Sequence, residues 1–396
     1  MAGEDRLVGS GDAARPHVAY VDYNASAPIR PEAAAAMLEA LRLPGNASSG
    51  HLLGRQASEL VVRARAELAD LLGCTSQELI FTSGATEANN LALRTATPSH
   101  GLLIVSAVEH PAVLTTARAL ADEGSCELAI LGVDGDGRVQ LPDLQAALES
   151  GQPALVSVMA ANNETGVIND LIAIGRMVHA AGALLHTDAT QLVGRVPLEL
   201  SAAPIDLLSL SAHKFGGPQG VGALFMRRGL PVAHRPLLQG GGQERGWRAG
   251  TLNVAGIAGA GAAAAAAQQH LADEQLRVSR LRDRLEASVL AAVPGARVNG
   301  ASAPRLPGVT SLTVTGAPAD AVLSAMPHVA ASDGSACSSG ALTRSHVLLA
   351  IGHRDEEADC TIRLSLGHAT TDAEINFVIS ELTSAVRRVR AAMYVP

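Results

Sequence analysis

Lysine is almost absent from this sequence. Lysine and arginine together number 30 in the 396-residue chain, and all of them except Lys214 are arginine. Arginine stays protonated at physiological pH, whereas a lysine amine can lose its proton and act as a base or as a Schiff-base nucleophile. The alternative is that Lys214 has no special role and is present by chance in an arginine-rich chain. However, Lys214 follows an apolar run and leads into a glycine-rich stretch, unlike a solvated surface lysine. A role that requires a primary amine suggests pyridoxal phosphate (PLP), which its enzymes hold on a lysine.

Other scarcities exclude whole classes of protein. Aromatic residues make up only 2% of the chain, so the core must consist of alanine, leucine, valine and isoleucine. The net charge of −8 gives no electrostatic basis for binding nucleic acid or an anionic membrane. The longest apolar run, 254–267, is shorter than the roughly 18 residues of a membrane span and instead predicts a tightly packed helix of small residues. Residues 1–17 lack the apolar segment of a signal peptide, and we expect them to form a flexible leader.

Cysteine is also rare, with four residues and no CxxC pair. Cys74, Cys126 and Cys360 have no metal-ligand spacing to histidine, so the sequence predicts free thiols in a reducing cytoplasm and no metal site. Cys337 differs from these three because the small residues of "ASDGSACSSGA" offer it no apolar packing. That setting predicts a mobile, nucleophilic thiol.

The middle of the chain alternates strand-like and helix-like segments, which is typical of an α/β fold with a mainly parallel sheet. The predicted strands are 78–83, 101–107, 153–160, 183–189, 205–212 and 220–227, and helices between them are 86–97, 111–123 and 170–181. Ligands bind beyond the carboxyl ends of such strands. Polar segments follow five of the strands there, namely "SGATEANN", "VEHP", "ANNETG", "HTDATQ" and "HKFGG".

From about residue 273 the pattern changes to an amphipathic, arginine-rich helix followed by short strands. We therefore expect three parts in the chain. The leader precedes a large PLP-binding domain at 31–272, and a smaller α+β domain combines 18–30 with 273–396 and carries the cysteine loop.

The first polar segment predicts a phosphate site. Gly84, Ala85 and Thr86 stand where a strand passes into a helix, so backbone N–H groups and the helix dipole would favour an anion. An ordinary helix cap by Thr86 is the alternative. The glycine-rich segment 239–253 matches neither a P-loop nor a dinucleotide fingerprint, so a nucleotide loop is not expected.

Two further segments carry side chains that PLP chemistry needs. Asp188 in "HTDATQ" could hold the pyridine nitrogen protonated, although it could also cap a helix or bind a metal together with His186. His110 in "AVEHPAV" could stack on a cofactor ring and move protons, or it could be an ordinary histidine at a strand end.

Taken in order, the motifs strongly resemble those of the cysteine desulfurases, in the class V aminotransferase family of fold-type I PLP enzymes. They are "VDYNASAP", "GNASSGH", "TSGATEANN", "VEHPAVL", "ANNETG", "HTDATQ", "SAHKFGGPQG", "GGGQERGWRAGTLN", "GSACSSG" and "IRLSLGH". The short "GSACSSG" is similar to the subgroup with a long cysteine loop. Ala47 and His368 depart from the family pattern, in which proline and arginine are commoner. The resemblance implies a large, mainly parallel seven-stranded sheet and a smaller α+β C-terminal domain.

The resemblance also implies roles for individual residues. Lys214 would bind the cofactor covalently, and Cys337 would accept the sulfur. The others are His110 against the ring, Asp188 at the pyridine nitrogen, Gln191 at the ring hydroxyl, Ala85, Thr86, Ser211 and His213 around the phosphate, Asn163 and Arg363 at the substrate carboxylate, and Thr251, which reaches the partner subunit's phosphate.

The implied activity is the conversion of L-cysteine to L-alanine by a cytoplasmic homodimer. Its sulfur would become a persulfide on Cys337 and pass to an acceptor protein, for uses such as iron–sulfur cluster assembly. Selenocysteine lyase, with the same fold, is one alternative. A PLP-fold protein that has become a catalytically silent scaffold is the other, although the intact lysine, aspartate and cysteine argue against it.

Overall fold

The computed structural model describes residues 18–97, 100–333 and 344–393. The helices in chain order are α1 Pro31–Leu41, α2 Leu52–Leu72, α3 Ala85–Ala96, α4 Pro111–Asp122, α5 Leu141–Glu149, α6 Leu171–Ala180, α7 Val254–Ala292, α8 Ala319–Ser324, α9 His346–Ala350, α10 Asp355–Ala358 and α11 Asp372–Met393. The strands are β1 Ala19–Tyr20, β2 Leu79–Thr82, β3 Gly101–Ser106, β4 Cys126–Leu131, β5 Pro153–Ser157, β6 Leu184–Asp188, β7 Leu207–Ser211, β8 Gly222–Met226, β9 Ala296–Val298, β10 Val309–Val314, β11 Val329–Ala330, β12 Ser332–Asp333 and β13 Thr361–Ser365.

A seven-stranded sheet forms the centre of the molecule, in the order β2-β8-β7-β6-β5-β3-β4. Strand β8 runs antiparallel to both of its neighbours, and the remaining pairs are parallel. The parallel strands are apolar runs because helices cover both faces of the sheet, as in β3, which is buried along its whole length. The mainly parallel α/β sheet predicted from the sequence is therefore confirmed.

Helices α3 and α4 pack on one face of this sheet. Their apolar residues, among them Leu91 and Val113, join Leu103 of β3 in one buried cluster. Helix α4 begins at Pro111, whose fixed φ suits the first helical position, and His110 caps it. The packing thereby places the amino-terminal ends of both helices at the edge where the parallel strands end.

Helix α7 connects the large sheet to the C-terminal part of the chain. Its first half is rich in small residues, so neighbouring helices approach it closely; a Cβ on Gly261 would lie 2.4 Å from the Cα of Ala64. Its second half buries Leu281, Leu285 and Val289 in a different apolar cluster. The sequence predicted a small-residue helix and an amphipathic helix here, and the structure joins them into one.

The C-terminal part is an α+β unit, as predicted. Its sheet has the order β12-β13-β10-β9, and α11 buries Ile375 and Val378 in the same cluster as β13. Strand β1 near the start of the chain pairs with β11. None of the helices in the described ranges is long and apolar enough to cross a membrane.

Candidate active site

Six parallel strands end at one edge of the large sheet, and a cavity of about 390 Å³ opens there beyond five of them. Strands β2, β3, β5, β6 and β7 all point to this edge, because β2 and β7 each run antiparallel to the β8 strand between them. The cavity is lined by Ser83, Gly84, Ala85, Thr86, Glu87, Asn89, His110, Met159, Ala161, Asn163, Asp188, Thr190, Gln191, Ser211, His213, Lys214, Gln219 and Gly220. Ten of the residues singled out from the sequence therefore line one cavity.

Lys214 lies in a single turn of 3₁₀-helix that directly follows β7. Its ammonium group donates hydrogen bonds to the carbonyl oxygens of Asn24, at 2.5 Å, and Ala25, at 2.8 Å. Both acceptors are backbone groups of a loop after β1. These two backbone carbonyl oxygens hold the amine at the cavity wall.

Asp188 ends β6 and is almost completely buried. One carboxylate oxygen accepts a hydrogen bond from the Asn89 side chain at 2.7 Å, and the other accepts one from the backbone N–H of Thr190 at 2.9 Å. Two donors on opposite oxygens fix the plane of the carboxylate. The Asp188 carboxyl group is therefore buried and oriented on the cavity wall, the arrangement that the ring nitrogen of PLP requires.

The amino terminus of α3 offers an anion-binding turn in the cavity wall. Gly84 precedes the helix without any side-chain cap, so its first N–H groups are available to a ligand. Strand β8 supports this turn closely, because a Cβ on Gly222 would lie 2.6 Å from the Cα of Gly84. Ser211 and His213 also line the cavity.

The two histidines in the cavity wall are held in the neutral form. Burial and the nearby Lys214 charge lower the pKa of His110, against an opposing effect of Asp188. The His110 Nδ1 accepts a hydrogen bond from the N–H of Ala112 at 3.1 Å, so the neutral ring carries its proton on Nε2. Burial, Lys214 and Arg195 together lower the pKa of His213 to about 4. A neutral imidazole at position 110 suits stacking on an aromatic ring.

Two of the predicted site residues that the structure describes do not line the cavity. Arg363 is buried behind the cavity wall, where its guanidinium donates to the carbonyl of Asn163 at 3.2 Å and to the carboxylate of Asp22 at 2.8 Å. Thr251 is exposed and does not line the cavity. Cys337 lies outside the described residues.

Two residues without a role predicted from the sequence, Asn24 and Asn89, also organise the site. The backbone oxygen of Asn24 accepts hydrogen bonds from Lys214 and from Gln191, and its side chain donates to the carbonyl of Asn163. Asn89 orients Asp188. A helical pattern could have indicated Asn89, because it lies four residues after Ala85 and so on the same face of α3.

The structure does not favour His186 as a metal ligand. Both of its ring nitrogens are occupied, by the hydroxyl of Ser157 at 2.8 Å and that of Ser209 at 3.0 Å. Burial lowers its pKa to about 4, so the ring is neutral inside the sheet. Across residues 18–97, 100–333 and 344–393 no group of three potential metal ligands occurs.

The cavity fits pyridoxal phosphate in size and in chemistry. Buried polar atoms of Asn89, Thr190 and Gln191 have no hydrogen-bond partner within the described part of the chain, although all three residues line the cavity. A polar ligand would satisfy them. Around this one cavity lie an amine for the aldehyde of PLP, a helix amino terminus for its phosphate and a carboxylate for its ring nitrogen.

Comparison with known proteins agrees with this chemistry. The sequence profile of the class-V aminotransferases matches residues 19–378. The chain is 44% identical over 380 residues to cysteine desulfurase 2 of Trichormus variabilis, covering 94% of each protein. It is 40% identical to the cysteine desulfurase IscS of Proteus mirabilis, covering 94% of this chain and 93% of that one.

A solved structure shares the fold as well. The NifS-like protein of Rickettsia africae superposes with a TM-score of 0.85 at 32% identity, over 93% of this chain and 99% of that protein. The family profile matches most of the chain, and the identity to the cysteine desulfurases named above is 40 and 44% over nearly its full length. The chain belongs to the class-V aminotransferase family.

Proposed function

We propose that this protein is a PLP-dependent cysteine desulfurase, which converts L-cysteine to L-alanine and passes the sulfur to an acceptor protein as a persulfide on Cys337. The observation that carries the proposal is the position of the only lysine, in one cavity with Asp188 and the amino terminus of α3. The relatives are named cysteine desulfurases and align with nearly the whole chain. Both facts support desulfurase activity over the other activities of PLP enzymes.

The proposed binding roles follow from the cavity wall. The amino terminus of α3, with Ala85 and Thr86, would hold the phosphate together with Ser211 and His213. Lys214 would bind the aldehyde carbon. Asp188 would pair with the ring nitrogen, His110 would stack on the ring, and Gln191 would contact the ring hydroxyl.

Asn163 and Arg363 would bind the substrate carboxylate. In the structure Arg363 donates to the backbone oxygen of Asn163, and its Nε has no partner among the described residues. A buried guanidinium with an unused donor suits a ligand carboxylate, which accepts two parallel hydrogen bonds. The substrate would then lie between this pair and Lys214.

The chemistry divides between cofactor and protein. The bound cofactor supplies an acceptor for the electrons released at the substrate Cα. The neutral amine of Lys214 removes the Cα proton, and the Asn24 and Ala25 carbonyls position that amine. The thiolate of Cys337 forms a bond to the substrate sulfur while the C–S bond breaks, and the carbon fragment is protonated and leaves as alanine.

Further parts of the proposal concern organisation and location. We propose a cytoplasmic homodimer in which Thr251 reaches the partner's phosphate site, and a sulfur-acceptor protein as its partner. We also propose the division into residues 31–272 as the large domain, and 18–30 with 273–396 as the small one. The α7 helix spans the proposed boundary at 272, so the two would be joined rigidly.

Cys337 provides the test that separates sulfur transfer from general PLP chemistry. We expect Cys337→Ser to keep the PLP absorption band and its shift on addition of L-cysteine, because the cavity residues are unchanged. Alanine production from L-cysteine should fall by at least about a hundredfold, since the nucleophile is lost. Labelled cysteine should leave reductant-labile sulfur on the wild-type protein and none on the variant.

The matched control is Cys74→Ser. Burial and the nearby Glu78 and Glu199 raise the pKa of the Cys74 thiol to about 12, so it is a poor nucleophile and its loss should not change alanine production. Desulfuration by Cys337→Ser at the wild-type rate would contradict the persulfide mechanism. Preferential turnover of selenocysteine would favour a lyase instead.

A further inference from the structure

Two consecutive residues that are not glycine adopt a left-handed backbone in the segment that follows β8. Glu244 has φ 47° and ψ 41°, and Arg245 has φ 55° and ψ 30°. Side chains disfavour this region, and such residues persist only where surrounding contacts hold them. The turn therefore needs an anchor.

The side chain of Glu244 supplies that anchor. It is 2% exposed and accepts hydrogen bonds from both terminal nitrogens of Arg65, at 2.9 and 2.5 Å, and from the backbone N–H of Phe81, at 2.8 Å. Arg245 adds a hydrogen bond to the carbonyl of Leu79 at 2.8 Å. Because β2 is an edge strand of the large sheet, the turn covers the side of β2 that faces away from β8.

The same segment is fixed a second time just beyond β2. Arg248 donates to one carboxylate oxygen of Glu87 at 3.1 Å, while the other accepts the N–H of Ser83 at 2.7 Å. Burial alone would raise the pKa of Glu87, but its contacts with Ser83 and Arg248 lower it. The two anchors thus lie on either side of the strand-to-helix turn at Gly84.

We propose that Glu244 is a positioning residue for the cofactor site, because its buried carboxylate holds the left-handed turn against β2 and so fixes the phosphate cradle at the start of α3. The inference rests on the proposed function, since it names a support for that PLP site. Glu244 itself does not line the cavity. Its effect passes through Phe81 and through the ion pair of Arg248 with Glu87.

Glutamine cannot replace the carboxylate at this position. Three N–H donors surround Glu244, and an amide would turn its own NH₂ group toward at least one of them. In Glu244→Gln we therefore expect the turn to relax and the cradle to lose its support. The dissociation constant for PLP should rise about tenfold, which corresponds to about 1.4 kcal/mol.

The chain contains a built-in reporter of the turn. Trp247 is its only tryptophan, and it lies directly after the turn with its ring 4.5 Å from that of His234. Tryptophan emission therefore reports on this segment alone. In Glu244→Gln the emission of the apoprotein should shift to longer wavelength, and equilibrium dialysis against PLP should give the weaker affinity without any activity measurement.

Two further variants separate positioning from general destabilisation. Glu286→Gln breaks another two-pronged carboxylate–guanidinium pair, with Arg305 at 2.7 and 3.0 Å, and should change neither readout. The double variant Glu244→Gln/Arg245→Gly places glycine at one of the two left-handed positions and so removes the strain there. The Leu79 carbonyl, which loses its hydrogen bond from Arg245, also accepts one from Arg65 at 2.9 Å. It should regain PLP affinity to within about threefold of the wild type.

The outcomes distinguish the inference from the function on which it rests. Wild-type PLP affinity and unchanged Trp247 emission in Glu244→Gln would overturn the inference alone, as would weaker PLP binding of equal size in Glu286→Gln. Failure of glycine at 245 to restore any affinity would overturn the role of the strained turn. Absence of PLP binding by the wild-type protein would overturn the proposed function together with the inference.

Discussion

At the scale of single residues, the sequence indicates most of the cavity wall but not the contacts that orient it. Lys214, Asp188 and His110 could be predicted because each is a chemically able side chain at the end of an apolar strand. Asn24 could not, because its part in the site depends on its backbone oxygen and on a fold that brings residue 24 beside residue 214. Such long-range contacts leave no local pattern in a sequence.

The single lysine allows a sharp separation of charge from amine chemistry. In Lys214→Arg the positive charge remains, yet a guanidinium cannot bind the PLP aldehyde or give up its proton. We expect alanine production to fall by at least about a hundredfold. Borohydride reduction should fix PLP on a peptide containing residue 214 in the wild type only. Turnover in Lys214→Arg near the wild-type rate would show that the amine is dispensable.

Glu164 predicts a dependence of stability on pH. Burial raises its pKa to about 7, with a further contribution from Asp333, against the opposing effects of the Ser345 hydroxyl and of Arg363. The folded state therefore binds a proton that the unfolded state loses near pH 4.5. Stability is lost as pH rises from that value through 7, because the ionised carboxylate must be buried.

Removing this carboxylate should remove that loss of stability. Between pH 5 and pH 8 the free energy of unfolding of the wild type should fall by about 2 kcal/mol relative to that of Glu164→Gln. Urea unfolding at fixed protein and PLP concentrations measures the difference. The two proteins should converge toward pH 4, where the carboxyl is protonated in both states. A difference that does not depend on pH would contradict the raised pKa.

At the scale of elements, periodicity locates the strands of the site to within a few residues. The predicted strand 205–212 is observed as β7 at 207–211, and the predicted helix 111–123 as α4 at 111–122. Both have clear signals, an apolar run in the first and a proline at the first helical position in the second.

Elements outside the site were harder to predict. Strand β4 was missed, because it lies at the edge of the sheet and only its first and last residues are buried, so it does not form a continuous buried apolar run. Helix α7 was predicted as two pieces, since its small-residue half and its amphipathic half have different patterns. What unites them is tertiary packing, first against α1 and α2 and then against the C-terminal sheet.

At the scale of the whole molecule, the chain leaves large apolar side chains exposed on its surface. Leu38 and Leu41 of α1 and Val62 of α2 are 61, 69 and 63% exposed. Single exposed apolar residues are ordinary, but several on two helices that both pack against α7 favour a contact with another chain. This agrees with the proposed homodimer, in which the exposed Thr251 would reach the partner's phosphate.

Mixing two inactive variants tests that arrangement directly. Thr251→Asp should place a negative charge against the partner's phosphate, and Lys214→Ala should remove the amine from its own cavity. Each variant alone should be inactive at limiting PLP. In a mixed dimer one cavity combines a native Lys214 with a native Thr251 from the other chain, so equal mixing after subunit exchange should restore about a quarter of the wild-type sites. Sedimentation should give twice the chain mass of 40.4 kDa. Activity in the mixture no higher than in the separate variants would show that Thr251 does not act across subunits.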